Sequence, residues 1–205
     1  MRKTLNSIAN IRTGHTFREK IEELSDGNVR VLQIKDIRRQ HTELKQTDIL
    51  TTTLPHVNWS GNNKALLSID SVVLPARGDY YKASTFKSSD KVIASSQLLI
   101  ITLKDKSVLP AYLCWAINQK ATQHYLNSES RGSNMPMLST HSLGGMPIHI
   151  PSLTTQQKIV ELQQLWQQEQ QLTQQLIKNR EIMLKGMFQQ LLIEGDKTSK
   201  NGDKQ

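Results

Sequence analysis

The chain's 205 residues leave room for one globular domain and an extension. Lys and Arg number 26 against 18 Asp and Glu, a net charge of +8 and a pI near 9.6, which disfavours cationic partners and points to a polyanion, most simply nucleic acid. One cysteine, Cys114, excludes an internal disulfide, the N-terminus lacks the apolar core of a signal peptide, and no apolar run approaches the roughly 18 residues of a membrane span. A cytoplasmic protein is expected.

The basic excess is uneven: residues 1–150 carry 19 Lys and Arg against 12 Asp and Glu, and residues 151–205 carry 7 against 6. Thr4–Ile11, followed by Gly14 and Phe17, predicts a short element ending in a turn. Val29–Ile34 is rich in β-branched residues and predicts a strand, with Arg38 and Arg39 on the turn after it. Residues 41–64 are polar and irregular. Ser68–Leu74 predicts a second strand, closed by Pro75 and the Arg77-Gly-Asp79 turn. Lys91–Ala94 and Gln97–Leu103 predict one or two buried strands.

A helix is expected from Pro110 to Ser128, with proline at its first position and Leu113, Ile117, Ala121 and Tyr125 along one face. The Arg131–Asn134 turn then leads to a proline-bounded strand, Met146–Ile150. Strands with few helices between them make residues 1–151 an α+β domain built on a twisted, mostly antiparallel sheet.

From Ser152 the chain reads as one long helix, residues 152–195, with Thr154 or Thr155 placed to cap it. Its composition is polar, with 10 glutamines between residues 156 and 175. Leucines nevertheless recur on a heptad: Leu162, Leu165, Leu172, Leu176 and Met183 at a and d, interrupted by Glu169 and Asn179. Such a stripe needs a partner helix, and buried polar positions such as Asn179 set register at a cost in stability. A coiled-coil homodimer is the expectation. Residues 196–205 hold no apolar side chain and predict a disordered tail.

No motif announces catalysis. The sequence has no glycine-rich phosphate loop and no GxSxG elbow, and its six histidines are scattered. No cofactor and no metal is expected. Asp36 followed by Glu43-Leu-Lys45 has the spacing of a magnesium nuclease, with two carboxylates for the ion and a lysine for the scissile phosphate. The plainer reading is a strand-end aspartate and a solvated loop.

Three polar loops carry groups suited to DNA: Arg38 and Arg39; Arg77 with Tyr80, Tyr81 and Lys82; and Arg131 with Ser133 and Asn134. Arginine forks onto guanine and asparagine onto adenine, while serine and lysine hold phosphates. Lys35, Lys64 and Lys87 are the expected phosphate contacts.

The layout resembles the DNA-specificity (S) subunits of type I restriction–modification systems. The resemblance runs through Ile8-Ala-Asn-Ile11 with Gly14 and Phe17, Val31-Leu-Gln-Ile-Lys-Asp-Ile37, Ser71-Val-Val-Leu-Pro75 with Arg77-Gly-Asp79, Ala94-Ser with Leu98-Leu-Ile-Ile101, Leu109-Pro-Ala-Tyr-Leu113 and Arg131-Gly-Ser133. Its most specific part is Ile148-His-Ile-Pro-Ser-Leu-Thr-Thr-Gln-Gln-Lys-Ile159, which opens the long helix. The resemblance implies a target-recognition domain and a spacer helix, no catalytic residues, and as partners double-stranded DNA, a methyltransferase (modification) subunit and a motor/nuclease (restriction) subunit. Family members carry two recognition domains and two spacers, whereas this chain has one of each and no internal repeat. It resembles a half-subunit that an antiparallel homodimer would complete on a bipartite palindromic site. The alternatives are a stand-alone coiled-coil dimeric DNA-binding protein without enzyme partners and a purely structural coiled coil.

Overall fold

The computed structural model describes residues 1–18, 21–78, 80–132 and 136–202, the helix beyond residue 194 by its backbone. The chain divides into two compact units, Met1–Gln163 and Gln164–Gln205. The first opens with β1 (Arg2–Thr4), α1 (Leu5–Ile8) and β2 (Ala9–Thr13), then β3 (Val29–Leu32) and α2 (Ile34–Arg39), which runs into a π-helical turn at Gln40–Leu44. Next come β4 (His56–Val57), β5 (Val72–Pro75), β6 (Ser84–Thr85), β7 (Val92–Ala94) and β8 (Leu98–Leu103). Helices α3 (Pro110–Ile117), α4 (Lys120–Glu129) and α5 (Thr140–Gly144) precede β9 (Pro147–His149) and α6 (Leu153–Gly202).

The architecture is α+β, as expected. The described strands pair in three small sheets, β2-β8-β5-β6, β4-β3-β7 and β1-β9, antiparallel throughout except for β3 with β7. Strand β8 shows why its sequence is a continuous apolar run rather than an alternation. Leu99 and Ile101 face one core with Val72, Leu74, Leu113 and Ile117, while Leu98 and Ile100 face a second with Val73, Ile37 and Phe86. A strand covered on both faces has no polar side to present.

Several predicted boundaries move, each for a local reason. The helix expected over 110–128 is two helices, because Gln119 turns extended at a ψ of 144°; beside the break the Asn118 side chain pairs with Ala83, its Oδ1 accepting from Ala83 N at 2.7 Å and its Nδ2 donating to Ala83 O at 3.0 Å. The strand expected from Ser68 starts at Val72, since Asp70 adopts a left-handed φ of 68°. Arg38 and Arg39 lie on α2, not on a turn. Gln33 caps that helix and the Asp36 carboxylate returns a hydrogen bond to Gln33 N at 2.9 Å, a reciprocal capping box.

Strand β1 pairs with β9, and Ile150 N donates to Met1 O at 2.8 Å, so the start of the body is zipped beside the entry to α6. Helix α6 is capped by Ser152, whose Oγ accepts from Thr155 N, rather than by the threonines after it. Its first turns belong to the body: Ile159 and Val160 pack on the core, and Gln156 is fully buried. Gln156 Oε1 accepts from Leu109 N at 2.9 Å, and Nε2 donates to Ser107 O at 2.7 Å and Pro151 O at 2.9 Å. One amide thus joins α6 to the start of α3. Gln156→Ala removes the partner of three part-buried backbone groups, so urea unfolding should show a loss of about 1–3 kcal/mol; a loss below about 0.5 kcal/mol would show that water replaces the amide.

The second unit is helical. Its backbone continues helically to Gly202. No proline interrupts this stretch, and each added residue gains a hydrogen bond once a helix is nucleated, against a cost of about 1 kcal/mol for a glycine. Residues 203–205 lie outside the described residues. Among the described residues no helix is long and apolar enough to cross a membrane.

Candidate nucleic-acid interface

The turns expected to carry Arg77 and Arg131 meet on one segment of backbone. Met137 forms β-bridges to both Arg77 and Arg131. Arg131 N donates to Met137 O at 3.1 Å, Met137 N donates to Arg131 O at 2.8 Å, and on the other side Gly78 N donates to Pro136 O and Leu138 N to Ala76 O, both at 2.8 Å. The two arginines therefore flank Met137 one strand spacing to each side, with Cα atoms roughly 10 Å apart. Both are exposed. That separation spans about three base pairs at 3.4 Å each.

Arg38 braces this arrangement. Its Nη2 donates to Arg77 O at 3.1 Å, and a Cβ at residue 78 would stand 2.5 Å from that nitrogen. Gly78 also has a φ of 94°, so glycine answers both the backbone and the guanidinium. Arg38 thus supports the Arg77 turn as well as adding charge. Lys35 and Arg39 sit one helical turn apart on the same helix, Lys35 exposed and Arg39 half-buried.

The segment after the turn alternates. Tyr80 is half-exposed, Tyr81 buried, Lys82 exposed and Ala83 buried. Asn118 and Gln123, the latter donating to Tyr81 O at 3.2 Å, hold the phase. Lys82 Nζ lies 5.6 Å from the centre of the Tyr80 ring, and His41 meets that ring edge-on at 5.9 Å. Burial, with the Lys82 charge, lowers the His41 pKa to about 4, so the imidazole is neutral at neutral pH and shares a 3.0 Å hydrogen bond with Ser84 Oγ. Tyr80 and Lys82 thus present a stacking surface and a cation beside Arg77.

The same rim continues across the sheet end. Ala76 N donates to Gln97 O, Ser95 N to Leu32 O and His15 N to Ala94 O. The end of β2, the start of α2 and the β7–β8 turn therefore lie side by side with the Arg77 turn. A Cβ on Gly14 would stand 2.1 Å from Ser95 O, which is why the chain passes there as glycine and delivers His15 and Phe17 to the rim.

Of the other predicted contacts, Tyr81 and Lys87 separate from this face. Tyr81 is fully buried in the larger core and offers no surface to a base, a correction that follows from the alternation. Lys87 sits beyond β6, beside the start of β5 and away from Arg77, and its Nζ pairs with Asp48 Oδ2 at 2.9 Å. Lys64 is exposed on the Asn63–Ala65 turn, whose carbonyls at Ala65 and Leu66 accept from Arg12. Ser133 and Asn134 lie outside the described residues. The nuclease arrangement does not form: Asp36 is buried in its cap, where desolvation raises its pKa against the pull of the Gln33 amide, and Glu43 is exposed on the following turn.

A family model, the type I restriction modification DNA specificity domain, matches residues 1–180. The chain belongs to this family. Its members are non-catalytic DNA-recognition subunits of restriction–modification complexes. Solved structures share the fold at low identity. The S subunit of a type I restriction–modification system from M. genitalium is 12% identical with a TM-score of 0.52, over 82% of this chain and 39% of that one. The HsdS subunit from Thermoanaerobacter tengcongensis is 15% identical with a TM-score of 0.56, over 84% and 38%. A chain from a structure of type I restriction–modification complex assembly is 14% identical with a TM-score of 0.60, over 85% and 40%. The chain therefore spans about two-fifths of those proteins. No curated protein matches its sequence.

Sequence reasoning missed His15, Phe17, Ser95 and Gln97 as rim residues. Gly14 and Ser95 are far apart in sequence, and no periodicity announces their approach. The bracing role of Arg38 had a legible signal, the Gln33…Asp36 spacing of a capping box, which places Arg38 on a helix.

Proposed function

We propose that the chain is the DNA-reading subunit of a cytoplasmic type I restriction–modification complex, acting as a homodimer on a split, palindromic site and recruiting the methyltransferase and restriction subunits. The observation that carries this reading is the pair of exposed arginines fixed on either side of Met137, in a family whose business is DNA specificity. Tyr80, Lys82, Lys35 and Arg39 extend the basic surface around them.

The dimer rests on the helix. Leu162, Leu165, Leu172, Leu176 and Met183 are all more than half exposed, a stripe that a second copy would bury. Recruitment rests on the C-terminal turns of the same helix. Ile182, Leu184, Met187, Phe188, Leu191, Leu192 and Ile193 are also exposed. At 3.6 residues per turn they occupy most of the circumference, more than one partner helix covers. This wider surface favours an assembly over a stand-alone dimer.

The helix from Thr154 to Ile193 rises roughly 60 Å, and a duplex turn is about 34–36 Å. Two heads on overlapped helices would straddle about one turn. Selection from random duplexes should return an inverted repeat with a constant unread gap. A single unsplit motif, or no preference at low salt, overturns the reading.

A further inference from the structure

Beside the arginine face lies a cleft whose lining includes one predicted contact, Lys35. It has a lobe of about 1010 Å³ and a smaller one of about 350 Å³, which share His15 and Phe17. Ligand pockets run to about 300–1,000 Å³, so the smaller lobe falls within that range and the larger at its upper limit. Its wall is aromatic: His15 lies 5.1 Å from Phe17 and 4.7 Å from Trp59, ring centre to ring centre, all edge-on. Trp59 is held in place from two sides. Asn28 pairs with its backbone N and O at 2.8 and 2.9 Å, and a Cβ on Gly61 would strike its ring at 2.3 Å.

Two polar groups there lack partners. Ser95 lines the smaller lobe, is 9% exposed, and its Oγ makes no hydrogen bond among the described residues; nor does the buried Trp59 Nε1. An unpartnered hydroxyl this buried costs stability unless something else completes it. Lys35 lines the smaller lobe and Arg18 the larger, with Glu22 the carboxylate among the described lining of the larger. A flat aromatic body, an edge that hydrogen-bonds and adjoining negative charge together describe a nucleotide. Gln97, which lines the smaller lobe, accepts from Ala76 N, the neighbour of Arg77.

We propose that this cleft takes up one unstacked base of the bound DNA, its ring against Phe17 and Trp59, its polar edge on Ser95 Oγ, and its flanking phosphates on Lys35 and Arg18. The proposal rests on the DNA-reading function and adds a site to it. An extruded base would fix register at one position and leave the arginines to read their paired neighbours.

The test uses the full chain and its selected duplex, with 2-aminopurine walked through the site. Fluorescence should change on binding at one position per half-site, and a mismatch there should tighten binding, because less pairing is lost. Phe17→Ala should abolish the signal and weaken binding by roughly 5- to 150-fold, the range of a lost base–aromatic stack. Ser95→Ala should weaken binding while leaving the melting temperature unchanged or raised, since it deletes an unpartnered hydroxyl; a purely structural serine would lower it. Sequence-preferring binding with no responsive position overturns the cleft and leaves the DNA-reading function standing. Loss of all sequence preference overturns both. Saturable binding of free deoxynucleoside monophosphates, with no response in the duplex, assigns the cleft to free nucleotides and also overturns the proposal.

Discussion

Leu172→Glu combined with Leu176→Glu should yield a folded monomer with sharply weakened DNA binding. The two leucines are 66% and 52% exposed on the single chain and sit one helical turn apart. Burying a leucine contributes about 1.5–3 kcal/mol, so four of them across a two-fold pair contribute about 6–12 kcal/mol. Each 1.4 kcal/mol is a factor of ten, which puts the rise in dimer dissociation constant at about 10⁴ or more before any glutamate repulsion is added. A split site then binds one head at a time and forfeits the roughly 10²- to 10⁴-fold gain of bivalent engagement. Light scattering and sedimentation equilibrium would show the mass, and filter binding the affinity. The body should keep its thermal transition, because these side chains are no part of its cores. A double variant that stays dimeric would remove the stripe from the interface and the bipartite site with it.

The fold was legible where one local pattern had one solution. The apolar run at Leu98–Ile101 could be satisfied only between two cores, and the proline-bounded strand before Ser152 left the long helix as the only continuation. Legibility failed where a distant group decided the outcome. Tyr80 and Tyr81 are adjacent and chemically alike, and the sequence treats them alike. Which one faces outward is set by Asn118 and Gln123, more than 35 residues downstream, gripping the backbone at Ala83 and Tyr81. Next to Asn118, an extended Gln119 divides a helix whose apolar spacing predicts continuity.

The site was legible in its residue types more than in its assembly. Arg77 and Arg131 stood out as arginines on glycine turns. Their meeting depends on Met137, an exposed methionine with no signal of its own. Lys87 illustrates the opposite limit, since its pairing with Asp48 across 39 residues is invisible in the sequence. A surface pair of this kind contributes about 0–1 kcal/mol, yet it takes a charge away from phosphate binding.

Arg77→Ala with Arg131→Ala should collapse discrimination while sparing the fold. A bidentate arginine–guanine contact discriminates by about 1–3 kcal/mol, so the pair accounts for about 2–6 kcal/mol per head, roughly 30-fold to 10⁴-fold. Arg77→Lys separates the fork from the charge: a lysine keeps the salt dependence of binding and loses the two-pronged fit. Lys64→Ala, on its own turn, should weaken all sequences about equally and reduce the salt slope by about one. Arg38 supplies the sharpest check. Its guanidinium holds the Arg77 carbonyl at 3.1 Å, so Arg38→Ala should cost specificity through Arg77. Once Arg77 is alanine, removing Arg38 should cost little more. Competition binding against mutated operators, run as a double-mutant cycle, measures that coupling directly. Additive losses would mean that Arg38 contacts DNA on its own account, and the bracing role would fall.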